Sequence, residues 1–360
     1  MLLAIASCEN SVSELDKNPE TGKVYTVTPQ GAVSSKGNQW RGYFRKGCEN
    51  KVIVFFNGGG LSVDEYSAAR GSSVNPPDGL FYFDDSGSLE DETHILDDGI
   101  LSSKEKNPFK DWTIVVVQYS TGDLHCGTCE RQYTGLDGSQ HTIHYHGYVN
   151  FRLMMEKVLP FIGTPDALLI SGSSAGAAAT CLLSDDVIDM FPDTKNVTVV
   201  PDAFCLITDK WKSIAKEEWN APAEIVGRIE SDNLVLDCLK ALHKDKPYAK
   251  ILFGISPRDK VLALYQNYFT KGAFVPPAKT ELEDYQRVIE NMVAGFLKAV
   301  PDGGVNIWND GNEDESTGTS HTITNGPGFV VDYTGQGSYA DWIMNAVDGK
   351  VEIRGLELLK

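Results

Sequence analysis

The sequence predicts an α/β protein with a mostly parallel central sheet and helices on both of its faces. Three observations carry this. Five short runs are apolar nearly throughout, as strands covered on both sides are. Stretches with helical apolar spacing fall between and after them. The run Ser171-Gly172-Ser173-Ser174-Ala175-Gly176 lies between one such strand and a helix, and a tight Gly-flanked turn there lifts a side chain out of the sheet.

Val24-Tyr25-Thr26-Val27 and Trp40-Arg41-Gly42-Tyr43-Phe44 read as hairpin strands. Lys51–Phe56 is the first central strand and ends at Asn57-Gly58-Gly59-Gly60. Residues 62–110 form a long Gly/Asp/Ser-rich insertion, expected to be partly irregular. Residues 114–119 are the second strand. Residues 148–159 read as a helix, with Val149, Leu153, Met154 and Val158 on one face. Residues 167–170 are the third strand, and residues 177–183 the helix after the serine run. Residues 197–200 and Lys250–Ile255 are the fourth and fifth strands. Residues 281–300 repeat Leu282, Val288, Ile289, Met292, Val293, Phe296 and Leu297 near a 3.6-residue period. Residues 309–319 are a second acidic loop. No internal repeat or long linker divides the chain, so residues 24–360 read as one domain behind an N-terminal segment, residues 1–23.

The formal net charge is −18. That disfavours nucleic acid and acidic membrane surfaces as partners and leaves neutral or cationic ones. A solubility adaptation to salt or to an extracellular setting also accounts for it. Seven cysteines are too few for a disulfide scaffold but compatible with a few bridges in a secreted protein. Cys126-Gly-Thr-Cys129 has no second CxxC to complete a four-cysteine zinc site, and a local disulfide is expected. Ile5-Ala6-Ser7-Cys8 is similar to a bacterial lipobox, followed by a polar stretch, residues 9–20, that reads as a tether. A lipid anchor at Cys8 would leave six cysteines, an even number. The expected location is extracytoplasmic: secreted, periplasmic or a surface lipoprotein. No other segment reaches the length of a membrane span.

Ser174 lies at the centre of Gly-x-Ser-x-Gly. Glycines on both sides suit a turn too sharp for side chains; a Gly/Ser/Ala-rich helix entry without chemistry gives the same pattern. A serine hydroxyl needs a base, and the base an orienting acid. In folds with this turn the order is Ser, then Asp or Glu, then His. Only His243 and His321 follow Ser174. His243 sits in a polar stretch that reads as a solvated helix end. His321 is late in the chain, after the acidic loop. Asp259 leaves the fifth strand through Ser256-Pro257-Arg258; Asp202, after the fourth, is its rival as the acid. Either could also be a helix N-cap. The amide of Ala175 and those of the Asn57-to-Leu61 turn are placed to stabilise an oxyanion. His141, His144 and His146 cluster, and alternation puts the last two on one strand face. No clear carboxylate or cysteine in the sequence completes a metal set, so they read as lining a cleft or the surface. Neither metal nor cofactor is expected.

Several segments together resemble the pectin acetylesterase family, which includes the Notum carboxylesterases. They are Val54 to Gly60; Gly99-Ile100-Leu101-Ser102; Asn107-Pro108-Phe109-Lys110-Asp111-Trp112 with Val117-Gln118-Tyr119; His146-Gly147-Tyr148; Ser171 to Gly176; Asp202-Ala203-Phe204; Leu252-Phe253 through Asp259 to Gln266; and His321-Thr322. The resemblance runs from about residue 40 to residue 345. It implies an α/β-hydrolase-like fold and a triad of Ser174, Asp259 and His321. It also implies an oxyanion hole from the backbone of Gly60, Leu61 and Ala175. The family's tryptophan after the glycines is Leu61 here, its cysteine before the nucleophile is Ser173, and its "YCDG" is Tyr119-Ser120-Thr121-Gly122-Asp123. These departures bear on substrate rather than reaction.

The reading is a serine carboxylic ester hydrolase that removes O-acetyl groups from a polysaccharide; its alternative is an esterase for longer acyl chains. Two rivals are a non-catalytic carbohydrate-binding or cell-surface protein on the same scaffold, and a metal-dependent hydrolase built on His141, His144 and His146.

Overall fold

A computed structural model describes residues 13–85, 96–312 and 318–360. Its strands are β1 (Ser13–Glu14), β2 (Val24–Val27), β3 (Gly42–Arg45), β4 (Lys51–Phe56), β5 (Thr113–Val117), β6 (Cys129–Thr134), β7 (Gln140–Tyr145), β8 (Ala167–Ser173), β9 (Val197–Asp202), β10 (Lys250–Ile255), β11 (Gly304–Ile307) and β12 (Ile353–Arg354). Ten of them form one sheet in the order β1-β2-β3-β5-β4-β8-β9-β10-β11-β12, while β6 and β7 pair separately as a hairpin. From β5 to β12 every neighbouring pair is parallel; β3 is antiparallel to both β2 and β5.

The apolar runs are buried for the expected reason. In β4, alternate side chains go to opposite faces. Val52, Val54 and Phe56 join one core with Phe151, Met154 and Met155 of helix Gly147–Val158, and with helices Ala175–Asp189 and Lys279–Ala299. Ile53 and Phe55 join a second core on the other face, against Trp342 and Ile343 of helix Tyr339–Val347. Truncating one of these aromatics to alanine would cost about 3–5 kcal/mol. The predicted hairpin strands pair as β2 and β3, with Tyr25 opposite Phe44.

Two features differ from the sequence reading, the end of the second strand and the Cys126–Cys129 pair, and the 62–110 insertion is partly irregular as expected. The second strand stops at Val117, which frees Gln118 and Tyr119 for the loop beyond. Within residues 62–110, the described part contains a short helix, Glu65–Ala68, and a 3-10 turn, Gly99–Leu101. Cys126 and Cys129 form no disulfide. The Cys126 thiol donates to the Asp123 carbonyl at 3.1 Å and the Cys129 thiol to the Glu218 carbonyl at 3.3 Å, so each has its own backbone acceptor. The lipobox-like residues 5–8, including Cys8, lie outside the described residues. No described helix is long and apolar enough to cross a membrane.

Candidate active site

Ser174 stands between the end of β8 and helix Ala175–Asp189, with φ 55° and ψ −125°. A non-glycine residue there carries about 1–3 kcal/mol of strain, which the surroundings must hold. They do so on both sides. The Ser174 amide donates to the Asp202 carbonyl at 2.9 Å, and its carbonyl accepts from Ala177 at 2.8 Å. The flanking glycines are required sterically. A Cβ on Gly176 would run into the Phe56 carbonyl, and one on Gly172 into the Gly176 carbonyl.

The turn after β4 approaches this serine from the other side. A Cβ on Gly58 would lie 2.8 Å from the Ser174 Cβ and closer still to the Ser173 carbonyl oxygen. Gly60 has φ 80°. The amides of Gly60 and Ala175 have no hydrogen-bond acceptor among the described residues. The amide of Leu61 does: it donates to the Phe81 carbonyl at 2.9 Å, and the Leu61 side chain is buried. Leu61 is therefore a correction to the expected set of backbone donors, because its N–H is already held in the bridge between Gly60 and Tyr82.

Asp259 caps a helix, one of its two sequence readings, and also meets His321. Its Oδ1 caps helix Lys260–Lys271 by accepting from the amides of Val261 and Leu262, each at 3.0 Å. Its Oδ2 lies 2.6 Å from His321 Nδ1. The carboxylate is fully buried. The segment carrying His321 is stitched beside it. Thr319 pairs with Asp259 as a bridge, the Thr319 hydroxyl donates to Ser256 Oγ at 2.8 Å, and Ser256 Oγ donates to the Ser320 carbonyl at 2.7 Å. Burial alone would push the His321 pKa down. The charge of Asp259, the hydrogen bond to it and the charge of Asp202 outweigh that and hold it above its ordinary value. His321 Nε2 is buried and has no hydrogen-bond partner among the described residues, Ser174 included. Such contacts often close only with substrate bound.

Asp202 makes no hydrogen bond to the imidazole, which feels only its charge. Its Oδ2 accepts from the amides of Ile323 and Thr324 at 2.7 and 2.8 Å and from the Thr324 hydroxyl at 2.8 Å. His243 is remote from this loop, 3.6 Å from Asp302.

Ser174, His321, Gly58, Gly59 and Gly60 line one cavity of about 250 Å³ that opens to solvent. Phe81, Phe83 and Tyr265 complete its apolar wall. Behind them Phe81 stacks on Phe274, with ring centroids 3.9 Å apart, and meets Tyr268 edge-on at 4.9 Å. The Tyr265 hydroxyl donates to the Phe81 carbonyl at 2.5 Å.

One residue at this site was not singled out from the sequence. His125 is buried, with Nε2 2.9 Å from the Asn57 carbonyl at the root of the glycine turn. Its ring packs against Phe56 and Tyr119. Donating to a carbonyl requires the proton on Nε2. Burial holds its pKa down at about 4. Its only sequence signal was a histidine beside a CxxC, which pointed elsewhere.

The three clustered histidines separate. His141 packs on Tyr133 and takes Asp137 and Ser139 as partners. His144 and His146 stand together on the other face of the hairpin, beside Glu130.

No curated protein sequence matches the chain. Among solved structures it is similar to the Wnt deacylase Notum from Drosophila, with a TM-score of 0.60 over 91% of this chain and 95% of that one, at 17% identity. That likeness gives the fold, an α/β-hydrolase-like one. The sequence model of the pectinacetylesterase family matches residues 20–226, more than half of the chain. That span holds the glycine turn, the serine elbow and Asp202. The chain belongs to the pectinacetylesterase family and is a carboxylic ester hydrolase.

Proposed function

We propose that Ser174, His321 and Asp259 are a catalytic triad that removes short acyl groups, acetyl above all, from hydroxyls of a polysaccharide. The observation that carries this is the 2.6 Å contact of Asp259 Oδ2 with His321 Nδ1, which leaves His321 Nε2 without a partner in the cavity that Ser174 lines. Nδ1 held by a carboxylate fixes the tautomer in which Nε2 can accept a proton. Ser174 Oγ attacks the ester carbonyl as its proton passes to Nε2. The amides of Gly60 and Ala175 receive the negative charge that develops on the carbonyl oxygen. His321 then returns the proton to the leaving alkoxide, and water, deprotonated by the same nitrogen, releases the acid.

A short acyl group is favoured by the small cavity and by the aromatic stack of Phe81, Phe274 and Tyr268 behind its wall. The open mouth suits a bulky alcohol such as a sugar chain. A net charge of −18 favours a neutral acetylated polysaccharide over a strongly acidic one. Such a substrate lies outside the cytoplasm, where Cys8 would tether the enzyme if lipidated.

The test is hydrolysis of p-nitrophenyl acetate, butyrate and octanoate by the protein and by Ser174→Ala, with acetate release from acetylated xylan and acetylated pectin. The expected result is a rate falling with chain length, xylan ahead of pectin, and loss of activity in the variant. Equal rates for Ser174→Ala and the parent protein would remove the serine from the mechanism. Octanoate ahead of acetate would overturn the short-acyl assignment.

A further inference from the structure

The hairpin β6–β7 carries a second cluster of chemistry. Glu130 on β6 and His144 on β7 are direct cross-strand partners. His146 follows two residues later on the same face. The rings of His144 and His146 meet edge to face, with centroids 5.7 Å apart. One ligand atom from each of Glu130, His144 and His146 lies within 4.8 Å of the other two. His144 Nδ1 is 3.0 Å from Glu130 Oε1.

We propose that Glu130, His144 and His146 form a binding site for a divalent transition metal of the zinc class. The bland alternative is a surface His–Glu pair, but that leaves two facts unexplained. Among the described residues the Nδ1 atoms of both His144 and His146 are buried and make no hydrogen bond, and His144 Nδ1 has only its 3.0 Å contact with Glu130 Oε1. Buried ring nitrogens without a hydrogen bond are uncommon and call for a reason. His141, on the same strand but the opposite face, shows the contrast: it is satisfied by Asp137 and Ser139 and needs no ion.

The donor set suits the ion. Two imidazoles and a carboxylate are a recurrent three-ligand zinc set, with a fourth position open to water. Bonds of roughly 2.0–2.1 Å place tetrahedral ligands about 3.3 Å apart, so a pair at the full 4.8 Å would contract by roughly 1.5 Å. The Glu130 side chain is 56% exposed and free to make that movement. The two histidines are held. The His144 amide donates to the Ser35 carbonyl at 2.9 Å, and a Cβ on Gly37 would lie 3.0 Å from His144 Nε2, so that edge of the ring is covered. His146 is followed by Gly147, whose amide donates to buried Asp123 at 2.8 Å. An ion here would tie the two strands of the hairpin to the start of helix Gly147–Val158.

The test uses the full chain, stripped with chelator, desalted and dialysed against micromolar zinc chloride. The expected result is one retained zinc per chain by elemental analysis and a rise in Tm with zinc, since the ion binds the folded state. His144→Gln and His146→Gln should lose both the retained zinc and the Tm rise; Glu130→Gln should bind more weakly. His141→Gln should keep both. Hydrolysis of p-nitrophenyl acetate should be unchanged in His146→Gln, which separates this site from the esterase reading. Should His144→Gln fail to fold, exposed Glu130 and half-buried His146 still supply the variants. Absence of a retained equivalent, or its persistence in both His146→Gln and Glu130→Gln, would overturn the proposal.

Discussion

Asp202 and Thr324 are joined twice: the Asp202 Oδ2 accepts from both the amide and the hydroxyl of Thr324, each at 2.8 Å. The same oxygen accepts from Ile323 at 2.7 Å, and the Asp202 backbone carbonyl accepts from the Ser174 amide at 2.9 Å. A single buried residue at the end of β9 thus fixes the elbow through its backbone and the histidine loop through its side chain. Burial raises its pKa, while the three donors pull it back down. This geometry predicts that Asp202 positions His321, which lies two residues before Ile323.

Asp202→Asn tests this. Asparagine keeps the shape but presents an NH2 group or a weaker acceptor to three donors. A drop in kcat of about 10- to 100-fold is expected with KM nearly unchanged, together with roughly 1–3 kcal/mol of stability lost through the unsatisfied donors. The measurements are steady-state kinetics and urea unfolding. A variant that loses stability while its kcat per folded molecule is unaltered would show that Asp202 is purely structural.

The capping of helix Lys260–Lys271 by Asp259 can be separated from its proposed role in the triad. Asparagine is an N-cap as good as aspartate, and alanine is not. Asp259→Asn should therefore keep the start of helix Lys260–Lys271 while losing the charge at His321 Nδ1, with kcat down by about 10³–10⁴. Asp259→Ala should lose comparable activity and a further ~1 kcal/mol or so of stability from the cap. Equal melting temperatures for the two variants would mean that the cap contributes nothing.

Much of this was legible in the sequence. The central strands announce themselves because a parallel sheet buries both faces and leaves no polar alternation. The elbow was legible because its two glycines answer a steric demand, which the Phe56 and Gly176 carbonyls now account for. Chain order singled out Asp259 and His321, which the structure brings into contact. What the sequence did not reveal depends on pairing between distant segments. Leu61 loses its amide to Phe81 across a loop whose course no local pattern specifies. His125 reaches Asn57 over 68 residues. The carboxylate missing from the histidine cluster was Glu130, visible only once β6 and β7 are in register.

The raised pKa of His321 predicts the acid limb of the pH–rate profile. In the proposed triad His321 is the general base and must be neutral, so activity should fall as pH drops through its pKa. Asp259 holds that value above the ordinary 6.5. The limb for p-nitrophenyl acetate should accordingly lie above pH 6.5 and move to lower pH in whatever activity Asp259→Asn retains. Stability follows the same sign. The charged form is favoured in the folded state, so this contribution is complete below the unfolded value and is lost as pH rises through the folded one. A limb that stays in place in Asp259→Asn would assign it to another group.

His125 titrates with the opposite sign. Its folded pKa of about 4 lies below the unfolded value, so the unfolded chain takes up the proton first. The stabilisation from neutral, buried His125 is present above pH 6.5 and is lost as pH falls toward 4, on the order of 3 kcal/mol in total. Asp123, raised to about 6 by burial, titrates the other way across part of the same window. The difference between the protein and His125→Gln isolates the histidine. Glutamine can still donate to the Asn57 carbonyl but carries no titration. Urea midpoints measured from pH 7.5 to 4.5 should therefore fall more steeply for the parent protein than for His125→Gln. Parallel curves would mean that His125 is charged, or reached by water, in the folded state, and that the glycine turn is not held by a neutral imidazole.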